Sequence, residues 1–354
     1  MSDGLNATGE GHRETRWVSL ASGVSDHEPL RAPVTVATAL DFARHHTDGA
    51  VPSERPSARD RWELLATLAC ADLGAARTIE PHFDALSIAQ DASDAGLLPS
   101  AQTAGVWGVF ASEGGSEPLR ATTTATGWVL TGVKPWCSLA GSLDGALITA
   151  TVPDRSRRLF SVDLRHSGVI VDEEVWHARG LAEIPSGPVQ FFAVPAEPVG
   201  PSGWYLERVG FARGGIGVAA CWFGGAVGVA RTVFETLAGA ASPSAVQLIH
   251  LGAIDELIHG ARLSLLDAAA VVDGSDPRRA DVAIIAKRVR GIVAAACEHI
   301  MMRSGHALGP APLALDPVHA KRVADLQLYV RQHHAERDQA SLGSALLATG
   351  SPAW

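Results

Sequence analysis

The period of the apolar residues changes twice along this 354-residue chain, and those two changes constrain its folding more than any other feature. Across 106–198 the runs VWGVF, GWVLTG, GALITATV, RLFSVDL, GVIV and PVQFFAVPAEPVG are parted by Gly, Pro, Asp and Ser, the pattern of short antiparallel strands in a barrel or sandwich. After Trp204 the period becomes helical and stays so. One stretch, 213–237, lines up Val218, Trp222, Gly225, Val229 and Val233, and a second, 253–272, aligns Ile254, Leu257, Ala261, Leu265 and Ala268. Ser275-Asp276-Pro277 reads as a stop and a cap opening a third helix that ends near Met302. Asp316-Pro317 repeats the device before a fourth, expected to run through His333 and His334 to about Leu347. Four long helices with short connections predict a bundle.

Ahead of the strands, residues 1–30 are polar and aperiodic, and are expected to be flexible. From Val34 the pattern is helical; Asp60 is a candidate cap, and Pro81 suits the first turn of a further helix running towards Asp91. The expected partition is 1–30 tail, 31–104 helical domain, 105–203 β-domain and 204–354 bundle. In class terms this is an α+β fold: an all-α N-terminal domain, a central antiparallel β-domain and a C-terminal four-helix bundle.

Composition narrows the function. Hydrophobic residues make up 47% and charged residues 19%, enough for a substantial core, and the net charge of -9 argues against a nucleic-acid partner. Cys70, Cys137, Cys221 and Cys297 form no Cys-x-x-Cys pair and read as free thiols. The N-terminus lacks an apolar signal core, so a cytoplasmic protein is expected. The uncharged stretch 214–230, between Arg213 and Arg231, falls short of the roughly 20 residues of a membrane span and reads as a buried bundle helix, with no membrane partner. Gly224, Gly225 and Gly228 would admit a neighbouring backbone.

The stretch 106–144 is where chemistry is expected: an apolar run, the Gly-Ser turn Ser112-Glu113-Gly114-Gly115-Ser116-Glu117, then a hairpin leading into Lys134-Pro135-Trp136-Cys137-Ser138. Small residues free backbone N–H groups and the indole offers a flat apolar face, which suits a planar, hydrogen-bonding cofactor.

In order and type, SEGGSEPLRATTTATGWVLTGVKPWCSLAG resembles the middle-domain signature of the acyl-CoA dehydrogenase family. The resemblance implies that family's helix, β-domain, four-helix order and an FAD cofactor. By the same resemblance Ser112, Gly115 and Ser116 lie near the flavin's polar edge, and Trp136 and Ser138 lie against its ring. It also implies a homodimer or homotetramer assembled through the bundle, acting on a small-molecule substrate, an acyl-CoA thioester. The departures are specific. An Arg-x-x-Phe-Gly element of the family is replaced by Ala241-Ser242-Pro243-Ser244-Ala245, and a Gly-Gly-x-Gly turn for the adenosine end by Met302-Arg303-Ser304-Gly305-His306-Ala307-Leu308. The family's base, a Glu eight residues beyond an Asp of the last long helix, is here His333, counted from Asp325. His is the stronger base of the two, with a free pKa of about 6.5 against about 4.3. On this basis the first expectation is α,β-dehydrogenation with His333 as catalytic base. The second is a reduced-flavin-dependent monooxygenase of the same fold, and the third a non-catalytic subunit that pairs as a hetero-oligomer with an active paralogue.

Overall fold

The computed structural model describes residues 11–21, 28–48, 56–97, 105–114, 118–172, 174–274 and 279–350. It opens with two paired antiparallel strands, β1 (His12–Thr15) and β2 (Leu30–Pro33), so the N-terminal part is not all-α and part of the expected tail is a strand. Three helices follow: α1 (Val36–Asp48), α2 (Ala58–Ala71) and α3 (Leu73–Asp94). Ser57, not Asp60, caps α2, its hydroxyl accepting the Asp60 N–H at 3.0 Å. Asp72 caps α3, which therefore begins before Pro81 and carries it inside the helix. There the missing N–H forfeits the helical bond to the Arg77 carbonyl.

Seven strands come next: β3 (Trp107–Phe110), β4 (Arg120–Thr124), β5 (Gly127–Lys134), β6 (Gly145–Thr151), β7 (Arg157–Asp163), β8 (Val169–Val171) and β9 (Val189–Val199). Their pairings run in a closed circuit, β6-β4-β5-β9-β7 and back to β6, with β3 added beside β6 and β8 beside β9. Two of the pairings, β3 with β6 and β4 with β6, are parallel, so the sheet is mixed where an antiparallel one was expected. The 105–114 segment enters beside β6 before β4 and β5 form their hairpin, which gives the parallel neighbours.

The remainder is helical: α4 (Trp204–Glu207), α5 (Val209–Ala238), α6 (Ala245–Val272), α7 (Arg279–Leu308), α8 (Ala311–Leu315), α9 (Pro317–Tyr329) and α10 (Glu336–Ala348). The apolar α5 is the axis of the bundle; Ile216, Trp222, Phe223, Val229 and Val233 are all buried on it. Each such side chain contributes about 1.5–3 kcal/mol by leaving water. Gly224 admits the Ala66 carbonyl of α2 where any Cβ would collide; Gly225 and Gly228 instead face the side chains of Leu73 and Arg322. Asp316 caps α9 with Pro317 in the first turn. The expected Ser275-Asp276-Pro277 cap lies outside the described residues.

The fourth long helix does not run unbroken. α9 ends at Tyr329, a single 3-10 turn covers Val330–Gln332, His333 is extended, and Ala335 takes a φ of 45° before α10 starts. Side chains compete for the backbone there: Arg290 takes the Gln332 carbonyl at 3.0 Å and Asp338 accepts the His334 N–H at 3.1 Å.

Helix α3 joins the parts. Ala85, Ile88 and Ala92 pack on Trp107, Leu147, Leu159 and Val199 of the sheet, while Ile79 lies in the main core with α5 and α9.

Candidate functional site

The turn after β5 is built on unusual backbone. Trp136 and Leu139 have φ values of 61° and 58°, uncommon for residues with a Cβ and a feature that recurs at functional sites. The loop segment 185–187 ahead of β9 holds them there: the Cys137 N–H donates to the Gly187 carbonyl at 3.1 Å and the Leu139 N–H to that of Pro185 at 2.8 Å. This leaves Trp136 59% exposed while Ser138, two residues on, is buried. Ser112 is also exposed, and a Cβ on Gly114 would stand 3.7 Å from the Pro135 ring, so the two loops adjoin. Gly115 and Ser116 lie outside the described residues.

The Ser138 hydroxyl has an assigned direction. The Ser186 hydroxyl lies 3.0 Å from the Ile184 carbonyl, which can only accept, so the Ser186 proton goes there. With the Ser186 proton so placed, the Ser138 hydroxyl donates to Ser186 across 2.7 Å, and Arg77 Nη2 donates to Ser138 at 2.9 Å. Ser138 keeps one lone pair and no free proton.

Arg77 opens onto a buried cluster that the sequence reading did not anticipate. Its guanidinium lies 5.7 Å from the centroid of the Tyr329 ring, and Nη1 is 3.9 Å from Glu80 Oε2. Glu80 is 7% exposed, and no hydrogen bond reaches its carboxylate from the described residues. Burial pushes its pKa up to about 7, with Asp84 adding to the rise and Arg77 and Arg290 opposing it. Among the described residues the Trp222 indole N–H is buried without a hydrogen-bond partner, and the Tyr329 hydroxyl meets only the thiol of Cys221. Those two rings meet edge to face at 6.3 Å, and Arg290 lies 4.7 Å over Trp222. The signal for this cluster was the Arg77, Glu80 pair at helical spacing within an apolar, Ala-rich stretch.

His333 stands at the far end. Its side chain is 9% exposed, with Nε2 3.9 Å from Asp338 Oδ2. Burial lowers its pKa, helped by Arg290 and His334 and opposed by Asp338, so the imidazole is neutral at pH 7 and a weaker base than a free histidine. His334 is exposed, 3.6 Å from the same Asp338. The contacts therefore run from Ser138 through Arg77, Tyr329, Trp222 and Arg290 to the turn carrying His333.

An exposed indole face, a serine hydroxyl two residues on and the guanidinium bonded to it fit a planar cofactor with a polar edge. The four cysteines are buried and unpaired, and burial pushes the thiols of Cys137 and Cys221 up, that of Cys137 to about 12, so neither is a ready nucleophile.

No family model matches the sequence, and no curated protein matches it. Solved structures do. The chain is similar to FMN-bound TdsC, a dibenzothiophene monooxygenase from Paenibacillus sp. A11-2, with a TM-score of 0.70 and 16% identity over 83% of this chain and 84% of that one. It is similar to the nitrososynthase from Micromonospora carbonacea var. africana, with a TM-score of 0.73 and 19% identity over 88% and 89%. KijD3, solved with FMN and a dTDP-linked amino keto sugar, gives 0.70 and 19% over 90% and 95%. TdsC and KijD3 were solved with FMN, and this chain shares the acyl-CoA dehydrogenase-like fold of these neighbours.

Proposed function

We propose that this chain is an oxygenase that uses reduced FMN and O2 on a small-molecule substrate, with the flavin ring on Trp136 and Ser138. The wiring of Ser138 carries the reading. In oxidised flavin the ring nitrogen at the polar edge can only accept a hydrogen bond, and on reduction it becomes a donor. A hydroxyl with a spare lone pair and no free proton suits the reduced form, whereas a dehydrogenase must first bind the oxidised one. The neighbours that are monooxygenases, or that carry FMN, support the same choice over thioester dehydrogenation.

FMN is favoured over FAD by the bundle. Where relatives would turn to hold an adenosine, α7 continues as helix through Gly305 to Leu308, and Ser244 is engaged with Gln247 in capping α6. Bound reduced FMN would supply the electrons that activate O2. The residues' own tasks are then to stack the ring on Trp136, to orient its edge by Ser138, and to take a substrate proton at His333 Nε2. Ser112, Gly115 and Ser116 are proposed for the cofactor's polar end. Exposed Val246, Leu248 and Ile249 at the start of α6 suit assembly as a homodimer or homotetramer.

Feeding the protein reduced FMN from a flavin reductase in air and following oxygen uptake tests the reading. Uptake is expected to depend on the protein and on added substrate. Anaerobic bleaching of bound flavin by an acyl-CoA would instead establish the dehydrogenase.

A further inference from the structure

Glu80 has no part in holding the ring, yet its position is hard to account for structurally. A carboxylate buried without a hydrogen bond costs stability unless it does something else. It shares Arg77 with Ser138: one guanidinium nitrogen is bonded to the hydroxyl at 2.9 Å, and the other is 3.9 Å from Glu80. The arrangement sits on an irregular piece of helix, since Pro81 removes the bond to the carbonyl of Arg77.

Resting on the flavin reading above, we infer that Glu80 is a proton-holding positioning residue that sets, through Arg77, the charge presented at Ser138. With Glu80 ionised, the Arg77 cation is answered from behind. With Glu80 protonated by solvent, that cation is unanswered and favours negative charge on whatever rests against Ser138. Reduction adds negative charge to a flavin ring, so a reduced ring and a protonated Glu80 favour each other, by reciprocal linkage. The groups facing Glu80 are Arg77 and Asp84 on its own helix, Tyr205 of α4, Cys221 of α5, Arg290 of α7 and Tyr329 of α9. Cys221, Tyr205 and Tyr329 stay neutral near pH 7, because burial raises all three. Asp84 is the remaining acid; burial raises its carboxyl above the ordinary range, with Arg208 and Arg61 opposing the rise, and the loss of the infrared band in Glu80→Gln separates Glu80 from it.

The test has two arms. In the flavin-free protein, an infrared pH titration should show a protonated carboxyl that ionises near neutrality and is absent from Glu80→Gln. In the protein loaded with FMN, the midpoint potential is measured against pH with dithionite as reductant. Wild type should fall more steeply across and above pH 7. Glu80→Gln should match wild type at low pH, lie above it at high pH and lack the steep segment. Arg77→Met should keep an infrared titration of Glu80, moved to higher pH, but lose the steep segment. An infrared titration unchanged in Glu80→Gln, or parallel potential curves for all three proteins, would overturn the inference. A protein that holds no FMN defeats the proposed function, while the infrared arm still decides for or against a proton on Glu80.

Discussion

Two ionic clusters lie along α3, one half-buried and one buried, and they are built on opposite terms. At its N-terminus Lys321 reaches Asp72 at 3.0 Å, Glu183 at 2.6 Å and Asp325 at 2.7 Å, and the Leu181 N–H donates to Asp325 at 2.6 Å. Every charge is met. Against the desolvation of burial, the three carboxylates hold the Lys321 ammonium above its ordinary range, and Gly180 lets the loop close onto the Ala324 carbonyl of α9. A few residues further along, Glu80, Tyr329 and Trp222 are more deeply buried and less fully met: among the described residues no hydrogen bond reaches the Glu80 carboxylate, the Tyr329 hydroxyl has only the Cys221 thiol, and the Trp222 indole N–H has no partner. The first cluster fastens the sheet's loops to the bundle. The second leaves polar capacity unused at the candidate site, which a structural cluster would not do.

That contrast can be broken by substitution. Lys321→Met should be the most damaging change, since it strands Asp72 and the nearly inaccessible Asp325. A loss of roughly 3–5 kcal/mol in denaturant unfolding is expected, and a loss under 1 kcal/mol would make the two clusters alike. Glu80→Gln should do the reverse. The Glu80 pKa is raised on folding from 4.5 to about 7, so the folded state holds the extra proton between those values and stability falls as pH rises through them. Below pH 4.5 the variant and wild type should unfold alike; above pH 7 the variant should be more stable, by on the order of 2 to 3 kcal/mol. A variant that is less stable at pH 8 would mean that Glu80 is structural after all.

The same contrast marks what the sequence could reveal. The switches of period at the strands and at α5 follow directly from which residues repeat, and they locate the sheet and the bundle. The turn at Trp136 and Ser138 is legible as a candidate because it carries its residues close together in the sequence. Glu80 and Arg77 were not, because a charged pair at helical spacing looks the same whether it faces water or Tyr329; only tertiary packing separates the two. Pro81 was read as a helix start because mid-helix proline is disfavoured locally, and the surrounding core overrode that preference. The break at His333 depends on Arg290 and Asp338, which reach it from other positions in the chain. Likewise β1 and β2 are two short strands held by pairing with each other, which no periodicity within either could announce.

The central claim is that a flavin ring rests on Trp136 and is held best when reduced. The most direct measurement is anaerobic equilibrium binding of FMN, oxidised and reduced, to wild type and to Trp136→Ala. The account predicts that wild type binds reduced FMN more tightly than oxidised, and that Trp136→Ala loses about 10- to 100-fold in affinity for it, the worth of a stacked indole. Equal affinity of wild type and Trp136→Ala, or binding of neither form, would contradict it.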